Sequence, residues 1–125
     1  MQANRIQKIG QIGVPIKNME NAIEFYKNIL GLSLLFSTDN MAFFECNGQR
    51  LLLSFPEKKE FANASSVIYF QVEDIKKTYE ELLEKGVAFS GKPHLVAKME
   101  QTETWMAFFT DSEGNTHALM SELHI

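Results

Sequence analysis

The chain is poor in the residues that carry the most recognisable chemistry. Its 125 residues include one cysteine, Cys46, and three histidines, His94, His117 and His124. A lone cysteine excludes an internal disulfide and points to an intracellular compartment. No neighbour serves it as a base, so it reads as a small strand residue rather than a catalytic thiol. No C-x-x-C or H-x-x-x-H pairing occurs, and no Ser-His-Asp set is visible. Gly10 and Gly13 have a strand spacing, not that of a phosphate loop. Basic residues are outnumbered: 12 Lys+Arg against 16 Asp+Glu leave a net charge of -4. Electrostatics therefore gives no reason to expect nucleic acid or an anionic membrane as partner. No apolar run approaches the ~20 residues needed to cross a bilayer. The start, MQANRIQK, lacks the apolar stretch of a signal peptide. The expectation is a cytoplasmic protein with no membrane partner.

What the chain does contain is a repeat. Residues 9–34, IGQIGVPIKNMENAIEFYKNILGLSL, share a grammar with residues 67–89, VIYFQVEDIKKTYEELLEKGVAF. Pairing Gln11 with Val67 sets Ile12 on Ile68, Val14 on Phe70, Ile16 on Val72 and Asn18 on Asp74. Gly31 and Gly86 fall within one residue of this register. Self-similarity at a fixed offset signals repeated units.

Each unit opens with an alternating strand, Ile6–Ile16 and then Ser66–Val72. Asn18 and Asp74 are helix caps, and Gly31 and Gly86 are helix stops. Ala22, Ile23, Tyr26, Ile29 and Leu30 recur at helical spacing, as do Ile75, Tyr79, Leu82 and Leu83. Strands are predicted at Leu32–Ser37, Met41–Cys46 and Arg50–Phe55. Asn47-Gly48 marks a hairpin between the last two. In the second unit strands are predicted at Val87–Ser90, His94–Met99, Glu103–Thr110 and Thr116–Leu123, with Gly91-Lys92-Pro93 as a break. Both halves read βαβββ. The predicted organisation is α+β: one domain, with module one at about 6–55, a polar linker at about 56–65 and module two at about 66–123.

A helix on one face of each sheet leaves the other face bare. Two such sheets side by side form a cupped half-barrel, and a concave surface is the default ligand site. Alternation predicts Gln11, Gly13, Leu52, Ser54, Val67, Tyr69, Gln71, Ala118, Met120 and Glu122 as lining. Trp105 and Phe109, or Phe108 in the other phase, are expected to join them. His94 is expected near the mouth, and His117 in a packing role. The mix of apolar surface and a few polar handles suits an aromatic or amphipathic organic molecule.

With the helix motif AIEFYKNILGL and the turn-strand motif FFTDSEGN, the chain resembles the glyoxalase/bleomycin-resistance/extradiol-dioxygenase superfamily, also called vicinal oxygen chelate proteins. The resemblance spans roughly residues 8–122. It implies a divalent metal held at four strand positions, which here are Gln11, Leu52, Val67 and Ala118. Three of these offer no lone pair, so the expectation is a cup without the usual metal. The resemblance also implies a homodimer. The expected ligand-binding residues are Gln11, Ser54, Tyr69, His94, Trp105, Met120 and Glu122, with no metal ligand. The expected function is metal-independent binding of a small molecule. The alternative is a lyase or dioxygenase-type enzyme with a rearranged metal site, in which His94 or Glu122 joins Gln11.

Overall fold

The computed structural model describes residues 7–56 and 66–124. Most of the predicted linker therefore lies outside the described residues, as does Ile6. The first half builds β1 (Ile12–Pro15), α1 (Met19–Ile23), a π-helical turn (Glu24–Ile29), β2 (Ser33–Ser37), β3 (Met41–Cys46) and β4 (Gln49–Ser54). The second builds β5 (Ile68–Gln71), α2 (Ile75–Glu84), β6 (Ala88–Phe89), β7 (His94–Met99), β8 (Thr102–Thr110) and β9 (Thr116–His124). Two mixed sheets result, one of order β1-β4-β3-β2 and one of order β5-β9-β8-β6, with β7 also on β8. In each, the first strand runs parallel to the last and the remaining pairs are antiparallel. β6 lies opposite Phe109–Thr110 and β7 begins opposite Met106. They are two pieces of one strand, broken where Pro93 removes a ladder donor.

The local signals act as their chemistry requires. The Asn18 side chain accepts from Asn21 N at 2.9 Å, and Asp74 accepts from Lys77 N at 3.1 Å. Asn47 and Gly48 take φ of 49° and 87°, both left-handed, so β3 and β4 pair from Met41↔Ser54 to Cys46↔Gln49. Gly31 at φ 80° and Gly86 at φ 90° end the two helices. Replacing Asn18 by alanine removes the cap of the first helix. It should cost about 1 kcal/mol, read as a lower urea midpoint with unchanged slope.

The first strand is shorter than expected. Pairing with β4 begins only at Ile12, and Gln11 lies exposed beyond it, next to Gly10, a poor strand residue.

The repeat also differs by one residue. Thirteen positions separate Asn18 from Gly31, against twelve from Asp74 to Gly86. The structure absorbs the extra residue in the π turn, where Leu30 N donates to Phe25 O five residues back, at 2.9 Å. That turn carries Phe25 and Tyr26, both buried.

Val14, Ile16, Phe25, Tyr26, Phe44, Leu51 and Leu53 from the first half join Ile75, Leu82, Val87, Ala107, Phe109 and Leu119 from the second in one hydrophobic cluster. Helices thus cover one face of the sheets, as the alternation of Val14 and Ile16 requires. Among the described residues, no helix is long and apolar enough to cross a membrane.

Candidate functional site

The face away from the helices is built by strand alternation, and the register places its residues in rows. Across the second sheet, Tyr69 and Phe108 flank Ala118. Their rings meet edge to face, with centroids 6.3 Å apart. The adjacent row is His94, Met106, Met120 and Gln71. Beyond it come Ala97, Thr104 and Glu122. The row of Glu122 opens into a cleft of about 640 Å³ lined by Met99, Glu100, Thr102, Thr104 and Glu122. Tyr69 is 47% exposed although it sits in mid-strand. His94 Nδ1 lies 3.1 Å from Lys92 O. A carbonyl can only accept, so Nδ1 carries the proton and Nε2 is left as an acceptor.

The first sheet presents a second such face. One row runs Gly13, Leu52, Phe43 and Phe36. The Phe36 and Phe43 rings lie 4.7 Å apart, and Phe36 is 53% exposed. Ser54 stands between Pro15 and Met41. On the other side of the phenylalanines, Arg50 is opposite Glu45. Continuing the β1–β4 register sets Gln11 beside Arg50.

The structure therefore brings Tyr69, His94, Met120 and Glu122 onto one face, with Phe108 among them. Gln11 and Ser54 belong to the other sheet. Trp105 does not line either face. It shares the phase of Ala107 and Phe109 and packs partly buried on the helix side. Its indole N–H donates to Glu103 Oε1 at 3.2 Å, and Lys76 Nζ lies 5.9 Å from the ring centroid. The expectation that Trp105 points inward is corrected: a strand with aromatics in both phases gives alternation no sign, and the helix side takes the indole. Phe108 takes the inward place instead.

Of the four positions at which the family resemblance implies metal ligands, Ala118 is fully buried and Leu52 and Val67 are half-buried. With Gln11 they supply one amide and three hydrocarbon side chains. A divalent ion needs several lone-pair donors in place of its water, so this set does not suit it.

Sequence reasoning missed a polar cluster that joins the two halves on the helix side. Tyr26 is fully buried and its O–H donates to Asp111 Oδ2 at 2.6 Å. His117, 1% exposed, sets Nε2 at 2.8 Å from the same phenol oxygen. The phenol proton is committed to Asp111, so His117 Nε2–H is the donor in that second bond. Asp111 Oδ1 accepts from Glu113 N and Asn115 N, each at 2.8 Å. Asn115 Nδ2 reaches both Asp111 Oδ2 and Pro15 O. The Glu113 carboxylate accepts from Lys17 N at 2.7 Å and Asn18 N at 3.1 Å, where the first helix begins. His117 Nδ1 and Ser121 Oγ are buried without a partner among the described residues.

Burial alone would raise the Asp111 carboxyl, but hydrogen bonds from His117, Tyr26 and Asn115 outweigh it and hold the group at about 2. Burial, then the Asp111 charge, pushes the Tyr26 phenol far above its ordinary range. Tyr26 is thus a fixed donor, not a base. The signal for this cluster was a tyrosine in the buried phase of a helix, because a buried phenol needs a partner.

Residues 8–119 match the family described as the Glyoxalase/Bleomycin resistance protein/Dioxygenase superfamily. The uncharacterized protein YraH of Bacillus subtilis (strain 168) is 31% identical over 86% of this chain and 93% of its own length. The metallothiol transferase FosB of Lysinibacillus sphaericus (strain C3-41) is 23% identical over 88% of this chain and 79% of its own. The catechol-2,3-dioxygenase of Bacillus subtilis (strain 168) is also 23% identical, but the match spans only 39% of that protein. Among solved structures, a superfamily member from Sphaerobacter thermophilus DSM 20745 has a TM-score of 0.76 at 21% identity, covering 93% of this chain and 98% of its own. A lactoylglutathione lyase from Agrobacterium tumefaciens has a TM-score of 0.75 at 16% identity, covering 94% and 96%. At those identities the likeness to solved structures concerns the fold.

Proposed function

This chain belongs to the glyoxalase/bleomycin resistance protein/dioxygenase superfamily, and on that premise we propose that it binds a small aromatic or amphipathic organic molecule on its concave faces without a metal ion. The relatives are named as a metallothiol transferase, a dioxygenase and a lyase. So varied a family leaves function to the site rather than the fold.

The observation that carries the reading is the combination on the second sheet. Tyr69 and Phe108 stand over Ala118, at a position where the family resemblance implies a metal ligand. Aromatic faces, two adaptable methionines and the His94 acceptor offer contact area and orientation to an organic ligand. The donor set of Gln11, Leu52, Val67 and Ala118 argues for metal-free binding. The apolar faces, with Phe36 and Tyr69 exposed, support action as a homodimer, and the lone Cys46 supports a cytoplasmic location.

A thermal-shift screen of aromatic compounds in 1 mM EDTA tests the binding reading. A ligand at ten times its Kd should add about 1.4 kcal/mol and raise Tm by about 5 °C. No shift across the panel, or a shift that requires added divalent metal, would count against it. Light scattering tests the pairing: it should report twice the 14.3 kDa chain mass, and a monomer at micromolar concentration would exclude the dimer.

A further inference from the structure

The two concave faces differ in charge, and the first sheet carries the cation. We infer that Arg50 is the anchor of a subsite for the carboxylate of an aromatic acid; this rests on the binding function proposed above and names its ligand class.

Arg50 is exposed on β4, and its guanidinium carbon lies 5.3 Å from the centroid of the Phe43 ring. The Phe43 ring lies 4.7 Å from that of the exposed Phe36, the two planes tilted by 33°. The cation therefore continues an aromatic surface instead of standing free in water. Its cross-strand neighbour Glu45 makes no ion pair with it; Glu45 Oε2 accepts from Gly48 N at 2.8 Å, closing the hairpin. Arg50 pairs with none of the described carboxylates. A stacked guanidinium keeps its N–H edge free, and that edge matches the fork of a carboxylate.

Arg50 also borders a cleft of about 300 Å³ lined by Lys8, Gly10, Leu35, Glu45, Gly48 and Gln49. Lys8 and Arg50 meet there beside Leu35. Gln49 Nε2 is a donor without a partner among the described residues. Glu45 makes the site poor for a doubly charged anion, since a second negative charge would meet its carboxylate. A singly charged carboxylate suits the Arg50 fork beside Lys8, and the Phe43 ring under Arg50, with Phe36 next to it, offers a face to a flat apolar body. On the second sheet no Lys or Arg shares the phase of Tyr69, Met120 and Glu122, so the acid end has one place to go.

Calorimetric titration of the full chain with 2-naphthoate and its neutral isostere 2-naphthamide tests this. The acid should bind at least 10-fold tighter than the amide. Arg50→Gln should remove that preference while lowering the thermal midpoint by no more than about 4 °C, the share of an exposed cation–π contact. Arg50→Lys, which keeps the charge and loses the fork, should retain only part of it. Equal binding of acid and amide, or a preference that survives Arg50→Gln, would overturn the subsite and leave concave-face binding standing. Binding of neither compound would overturn both. Inorganic phosphate displacing naphthoate at comparable concentration would overturn the carboxylate assignment.

Discussion

Asp111→Ala is expected to destabilise the fold by about 4 kcal/mol, enough to leave much of the chain unfolded at 37 °C. The side chain accepts from Tyr26 O–H, from Glu113 N and from both Asn115 N and Nδ2. Alanine leaves these donors buried or nearly so with no acceptor, and unmet buried donors cost more than the hydrogen bonds contribute on average. The Asp111–Asn115 turn also carries Glu113, which holds the start of the first helix through Lys17 N and Asn18 N. Loosening the turn therefore weakens the polar link between the halves and leaves the shared hydrophobic cluster to hold them. Urea unfolding followed by circular dichroism should show a midpoint lower by about 2–3 M. A loss under 1 kcal/mol would mean that the turn holds itself without the carboxylate.

The second large effect concerns Tyr26. Phenylalanine fits the same space and removes only the hydroxyl, so the cavity contribution is small. Asp111 Oδ2 then loses its shortest donor and His117 Nε2 loses its partner. The expected cost is about 2 kcal/mol, or about 8 °C in Tm for a chain of this size.

The pH dependence gives this variant a distinct signature. In the fold Asp111 is held at about 2, below the ordinary value near 4. A depressed carboxyl stabilises the folded state fully above pH of about 4, and that contribution is lost as pH falls through about 2. Tyr26→Phe removes one of the bonds that depress it, so the folded value rises toward the ordinary one. Acid unfolding of the variant should begin at higher pH than in the parent chain. Identical acid midpoints would show that Tyr26 does not stabilise the charged carboxylate.

Local chemistry was legible in the sequence wherever the determinant was local. Asn47-Gly48 marked a hairpin whose first strand has the expected bounds, Met41–Cys46, and whose second, Gln49–Ser54, lies one residue earlier than expected. Asn18 and Asp74 cap, and Gly31 and Gly86 stop, because each needs only its own backbone and the next turn. The repeat and the helix-facing phase of Ile12, Val14 and Ile16 pointed to the two-sheet architecture. Pairing at a distance was not legible. Tyr26 and Asp111 lie 85 residues apart, and no period connects them. The one-residue mismatch between Gly31 and Gly86 was visible, but only the structure shows it as a π turn that carries Tyr26.

The candidate site was half legible for the same reason. Tyr69, Met120 and Glu122 follow simple alternation from Ile68, Leu119 and the rest of their strands. Trp105 does not, because Glu103–Thr110 sets large side chains in both phases, and hydrophobicity alone cannot choose between a core and a concave wall. Packing decides: Ala107 and Phe109 are buried beneath the second helix, and Trp105 follows their phase. Arg50 was not legible as a site residue because its significance lies in a ring on the neighbouring strand and not in any spacing.

The family position that would grip a cation and the aromatic floor over Ala118 make opposite demands on one surface, and titrating a neutral aromatic ligand from the thermal-shift screen into chelator-dialysed protein separates them. Saturable binding with the same Kd before and after zinc or manganese is restored is the predicted outcome. Binding that appears only once the metal is returned would contradict the account.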